Sequence, residues 1–202
     1  MKWLFSFFIS ITIHAQSTFD KSFDTSEVEE VEIVLHNTFE IEIINNIEDK
    51  VIFNGVSEGE YENDILIKAK QYGKRIVLED EIQPFSENHN DKLSAHKVFV
   101  VKVKLQIPDH LNVVIKSRIA SLDINGEFKN LFAELDSGDC LLNSFIGNAT
   151  INTLSGNINV FTENANIITS TKSGKINSEN ITGAYQINLK SISGNISVYK
   201  TK

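Results

Sequence analysis

Cysteine is nearly missing from this chain of 202 residues: Cys140 is the only one, so no disulfide can form within it. Proline is almost as scarce, with Pro84 and Pro108 and none afterwards, which suits a region whose backbone N–H groups are needed for pairing. The one tryptophan is Trp3, and beyond the first sixteen residues no apolar run approaches the ~20 residues of a membrane-spanning helix. Basic residues are in deficit. Without residues 1–16 the chain has 18 basic and 27 acidic residues, and the whole excess falls in 17–116, with 20 acidic against 11 basic. So acidic a surface argues against nucleic acid as a partner.

Known catalytic and metal-binding patterns are also lacking. His14, His36, His89, His96 and His110 form no spaced set with Cys or Glu, and His89 sits in the polar string Glu-Asn-His-Asn-Asp. There is no Gly-x-Ser-x-Gly elbow and no phosphate-cradling loop. Asp136-Ser-Gly-Asp139 and Glu79-Asp80-Glu81 are the strings with carboxylates enough to attract calcium, but the Gly-rich nonapeptide of calcium-binding β-rolls is missing. Asp123, Asp136 and Asp139 are the candidates for a paired-carboxylate site, with Asp123 and Asp139 expected on neighbouring turns. Solvated bend residues are the plainer reading, and the expectation is no catalytic, cofactor-binding or metal-binding residue.

What the chain does have is a repeat. Ser137-Gly138, Ser155-Gly156, Ser173-Gly174 and Ser193-Gly194 recur at spacings of 18, 18 and 20 residues. Two residues after each glycine stand Cys140, Ile158, Ile176 and Ile196, and four after stand Leu142, Val160, Ser178 and Val198. Seven before stand Leu131, Ala149, Ile167 and Ile187, and five before stand Ala133, Ile151, Thr169 and Leu189, with Asn148, Asn166 and Gln186 among the polar residues between. Period-two alternation means strand, and a period near eighteen means units that bury their apolar side by stacking on each other. Leu122 and Ile124 begin an earlier copy behind Ile119-Ala120, making about five turns from 117 to the end. The thirteen Asn of that region suit bends and amide ladders. This reading makes like residues one period apart neighbours in a common interior, and buries Cys140 as an unreactive thiol. The alternative is an antiparallel meander or sandwich in which each Ser-Gly is a hairpin turn.

Upstream, Val31, Ile33 and Leu35 alternate with Glu32, Val34 and His36, Phe39, Ile41 and Ile43 alternate with Glu40 and Glu42, and further strands are expected at 51–53, 65–69, 75–78, 98–107 and 113–115. Residues 80–96 read as a solvated loop. Residues 1–16, with Lys2, an apolar centre and Ala15, have the layout of a secretory signal peptide cleaved after Ala15 or Gln16. Since no linker separates the halves, 17–116 is expected to be an irregular β part continuous with a repetitive part, 117–202.

The run Val101-Lys-Val-Lys-Leu-Gln-Ile-Pro108, then Leu111-Asn-Val-Val-Ile115, then the Ser-Gly-Asn-Ile and Ser-Gly-Lys-Ile units, resembles the bacterial putative-adhesin domains of unknown function. The resemblance covers most of 28–200 and implies an exported, right-handed parallel β-solenoid, with Ala120 and Ser178 departing from its pattern. From it and the missing chemistry follows the expected function: a non-enzymatic module at the bacterial cell envelope, periplasmic, surface-held or extracellular, whose partner is a protein or glycan. The outward rows Asn148, Asn166, Gln186 and Thr150, Ile168, Asn188 are the expected contact surface. A small polysaccharide-active β-helix enzyme is the alternative.

Overall fold

Within residues 16–58, 65–82 and 100–201, which the computed structural model describes, alternation becomes fifteen strands and no helix. They are β1 (Gln16–Asp24), β2 (Glu30–Leu35), β3 (Glu40–Asn46), β4 (Lys50–Glu58), β5 (Ile65–Tyr72), β6 (Arg75–Ile82), β7 (Val100–Pro108) and β8 (Asn112–Ser117). The repetitive part supplies β9 (Ser121–Ser137), β10 (Cys140–Ser155), β11 (Ile158–Thr162), β12 (Ala165–Ser173), β13 (Ile176–Ser178), β14 (Tyr185–Ser193) and β15 (Ile196–Lys200). The leader expected at 1–16 lies outside the described residues except for Gln16. Of the expected loop at 80–96, residues 80–82 belong to β6 and the rest is outside them.

All fifteen strands join one mixed sheet with two rows. The first row runs β1-β4-β7-β3-β9-β10-β11-β15-β13; the second runs β5-β6-β2-β8-β9-β10-β14-β12, because the long β9 and β10 turn from one row into the other. Pairing is antiparallel at the amino-terminal edges, β1 with β4, β4 with β7 and β5 with β6, and parallel elsewhere. The strands on either side of each Ser-Gly pair with the neighbouring repeat, as in Cys140 opposite Leu122 and Ile158, and Ala149 opposite Leu131 and Ile187. Inward residues of both rows form one core, with Val31, Ile33, Leu35, Ile151, Ile158, Val160, Ile196 and Val198 wholly buried.

The order of the units is not the order of the sequence. Ile196 pairs with Ile158 on one side and Ile176 on the other; Ile187 lies between Ala149 and Ile167. The last unit, β14–β15, is therefore inserted between the third unit and β12–β13, which forms the open end. The expected column Cys140, Ile158, Ile176, Ile196 exists, but in the order 140, 158, 196, 176. Ile176, expected inside, is 45% exposed, and all of β13 is exposed, since nothing covers its far side among the described residues. The polar Ser178 and Thr169 thus sit where an apolar side chain would face water. Phe39 also departs from expectation: it precedes β3, is 55% exposed, and Thr38 is buried beside it.

Two local devices fix the stacking. At the bend, each glycine lies against the carbonyl of the unit beneath: a Cβ on Gly156 would sit 2.0 Å from the Gly138 oxygen, one on Gly194 2.0 Å from Gly156, and one on Gly174 2.0 Å from Gly194. Only hydrogen fits there. Ala120 starts the series, with its carbonyl 2.2 Å from where a Gly138 Cβ would be. Beside the glycines, the Asp139 carboxylate accepts the Asn157 N–H at 2.8 Å, the Asn157 amide oxygen accepts the Asn195 N–H at 3.0 Å, and the Asn195 oxygen accepts the Lys175 N–H at 2.8 Å. Lysine has no acceptor to hand on, so this ladder ends where the stack ends.

Candidate ligand-binding face

The outer surface of the second row contains the expected rows, in altered order. Asn112, Asn130 and Asn148 are successive register partners, as are Gln186 and Asn166, and a hydrogen bond from Gln186 to Asn148 joins the two sets. The Asn130 side chain donates to Asn112 Oδ1 at 2.8 Å, Asn148 donates to Asn130 Oδ1 at 3.3 Å, the Gln186 backbone N–H donates to Asn148 Oδ1 at 3.0 Å, and Asn166 donates to the Gly183 carbonyl at 2.6 Å. These Asn amides are engaged within the protein, so the row expected to make contacts acts first as a structural ladder.

The next two rows differ. Val114, Phe132, Thr150, Asn188 and Ile168 form one; Lys116, Glu134, Asn152, Lys190 and Ser170 form the other. Lys116 is held by Glu32 at 3.0 Å, but the side chains of Glu134, Asn152, Asn188 and Lys190 have no hydrogen bond or ion pair to other described residues. Two shallow depressions follow these rows. One, of about 390 Å³, includes Val114, Phe132, Thr150 and Asn188; the other, of about 320 Å³, includes Glu134, Asn152, Leu154, Lys190 and Ile192. Leu154 and Ile192 are 52% and 42% exposed. Apolar patches bordered by unengaged amides and opposite charges can hold a polar ligand by hydrogen bonds and its apolar parts by contact. Asn152 and Lys190 were missed at the sequence level because neither falls in a row of like residues.

The candidate carboxylates Asp123 and Asp139 are not register partners. Asp123 is the register partner of Leu141 and Glu42, so it does not align with Asp139; Asp139 is bound to Asn157, and Asp136 is the penultimate residue of β9. The calcium-attracting strings are likewise separated in function. Asp80 accepts the N–H groups of His36 and Asn37, both at 2.8 Å, and the Thr38 hydroxyl at 2.9 Å, closing the bend from β2 to β3. Glu81 pairs with Lys68. Among the described residues, no group of three or more His, Cys, Asp or Glu could hold a metal ion, and no helix is long and apolar enough to cross a membrane.

Burial pushes the Cys140 thiol up to about 12, with the Asp123 and Asp139 carboxylates adding to the effect, so it is a poor nucleophile at neutral pH. Asp123 itself is raised, first by burial and then by Glu42 and Glu40. A carboxyl whose folded-state pKa is raised opposes folding when ionised, and that opposition fades as pH falls through its titration. Asp123→Asn is accordingly expected to raise the thermal midpoint slightly at neutral pH, with the gain disappearing in acid. A lower midpoint for the variant at neutral pH would contradict this account.

Among solved structures, the chain is similar to a putative cell adhesion protein from Clostridium sporogenes, with 17% identity, 93% of this chain and 100% of that chain covered, and a TM-score of 0.62. It also matches a putative adhesin from Bacteroides fragilis, at 11% identity over 91% of this chain and 97% of that one with a TM-score of 0.43. A putative adhesin from Parabacteroides distasonis matches at 13% identity over 90% and 97%, with a TM-score of 0.30. No family model and no curated protein matches the chain. The Clostridium sporogenes protein establishes a shared all-β fold.

Proposed function

We propose that this protein is an exported, non-enzymatic, adhesin-like module of the bacterial cell envelope, built as a right-handed parallel β-solenoid whose irregular part, 17–116, continues into the repetitive part, 117–202. Residues 1–16 act as its leader. The fold shared with a putative cell adhesion protein supports the class. The observation that carries the binding role is the set of unengaged polar side chains Asn152, Asn188 and Lys190, aligned across units beside exposed Leu154 and Ile192. Glycan or protein at the cell surface is the partner this surface suits, held by hydrogen bonds across parallel strands.

The test is binding of residues 17–202 to a glycan array and to purified envelope polymers and proteins. Binding should weaken about tenfold when Asn152→Ala and Asn188→Ala are combined, two lost hydrogen bonds of ~1 kcal/mol each allowing that much, with the thermal midpoint unchanged. The reading fails if no ligand binds, or if binding is indifferent to the double variant.

A further inference from the structure

The outer surface of the first row carries one feature that the proposed binding face does not use. Toward the amino-terminal edge its side chains are paired: Glu40 with Lys102 at 2.9 Å and Glu42 with Lys104 at 2.7 Å. Toward the other end, Phe161 of β11 and Tyr199 of β15 are register partners whose rings stack with centroids 5.3 Å apart and planes 27° apart. Phe161 is 36% exposed, whereas the stacked Phe128 and Phe145 are both buried in the core.

This outward aromatic column breaks at its next neighbour. Between Leu142 and Phe145 the register of β10 against β11 shifts, and Ser144 adopts φ of 47°, the left-handed region that non-glycine residues rarely enter. Beside the break is an open depression of about 500 Å³ bounded by Asn143, Ser144, Phe161, Glu179, Tyr199 and Lys200. The side chains of Asn143, Ser144 and Lys200 have no partner among the described residues. Glu179 uses Oε2 to accept the Lys200 backbone N–H at 2.8 Å, leaving its other oxygen open. Strained backbone, an aromatic platform and unengaged donors and acceptors meet at one place.

A pyranose ring has the matching chemistry: C–H groups on a flat face for the aromatic rings, and hydroxyls around the edge for amide, hydroxyl, ammonium and carboxylate. An acyl chain needs an apolar cleft, and this rim is mostly polar. A nucleic acid needs several cations, and here Lys200 stands beside Glu179. We propose that Phe161 and Tyr199 form the stacking platform of a saccharide site that takes a neutral hexose unit of a longer glycan. The site lies on the opposite row from the surface of the proposed function and does not depend on it.

The test is titration of isotope-labelled residues 17–202 with cellohexaose, laminarihexaose, chitohexaose and mannohexaose, followed by backbone amide shifts. At least one sugar is expected to move Asn143, Ser144, Phe161 and Tyr199 progressively. Phe161→Ser should weaken it about tenfold or more, and Phe161→Trp should retain it. If Phe161→Ser lowers the thermal midpoint, Phe161→Leu, which keeps apolar bulk without the ring, replaces it. No shift with any of the four at millimolar concentration, undiminished binding by the ring-less variant, or the same shifts from a phenylalanine-containing tripeptide at lower concentration would overturn the proposal.

Discussion

Ile158→Asp is expected to unfold the repetitive part under conditions in which Ile176→Asp remains folded. Both residues stand two places after a Ser-Gly pair, and by the repeat alone they are equivalent. In the fold they are not. Ile158 is wholly buried between Cys140 and Ile196, whereas Ile176 is 45% exposed on β13, at the open end. At Ile158 the substitution loses about 1.5–3 kcal/mol of apolar burial and places an unpaired carboxylate in the core, at a cost of several kcal/mol more. A total above ~4 kcal/mol takes away much of the ~5–15 kcal/mol by which a domain is stable. At Ile176 the carboxylate keeps its water and the loss should stay below ~1 kcal/mol. Urea unfolding followed by far-ultraviolet circular dichroism measures both. Equal destabilisation would mean that the two positions are equally buried, and the unit order described above would be wrong.

Much of this was legible in the sequence, and the reason for what was not is instructive. Alternation reports which side of a strand is inside, so Cys140, Ile158, Val160, Ile187, Leu189, Ile196 and Val198 were identifiable as core. The bend residues were legible too, because Gly and Asn at fixed offsets have few other uses. Alternation does not report which strand lies next to which. A parallel neighbour one unit away and one two units away offer the same apolar column and the same hydrogen bonds, so β14–β15 fits between β10–β11 and β12–β13 without any change in its own pattern. Nor does it separate the antiparallel β1, β4 and β5 from the parallel strands.

The clues to the order lay in the exceptions. The fourth repeat has Lys175 in the ladder position, Thr169 and Ser178 in the apolar columns, and the longest step, 20 residues, to the next glycine. Each is a concession to an end facing water, and the long step supplies the connection from β13 back to β14. The binding surface was less legible still. Rows of like residues drew attention to Asn148, Asn166 and Gln186, but likeness between stacked units favours mutual hydrogen bonding, so the unengaged groups are found in the mixed row of Glu134, Asn152 and Lys190.

Gly194→Ala tests that order more directly. Its new methyl carbon would lie 2.0 Å from the Gly156 carbonyl oxygen and 2.6 Å from its carbon, and backbone cannot swing away as a flexible side chain can. Forcing the two bends apart is expected to cost about 2–3 kcal/mol, toward the upper end of overpacking. Gly73→Asn is the matched control: Gly73, at φ 58°, has nothing within 4 Å of where a Cβ would be, and Asn tolerates that conformation, so the cost should be under ~1 kcal/mol. The pattern of damage matters more than its size. β12 pairs with β14, β13 with β15, and neither has another partner in the sheet. Loosening β14–β15 should therefore loosen β12–β13 as well, and amide hydrogen exchange in Gly194→Ala should accelerate across 165–178 and 185–200 together, while β9 stays protected. If 165–178 kept its protection while 185–200 lost it, β12–β13 would have to rest directly on the third unit, and the last unit would belong at the outer end.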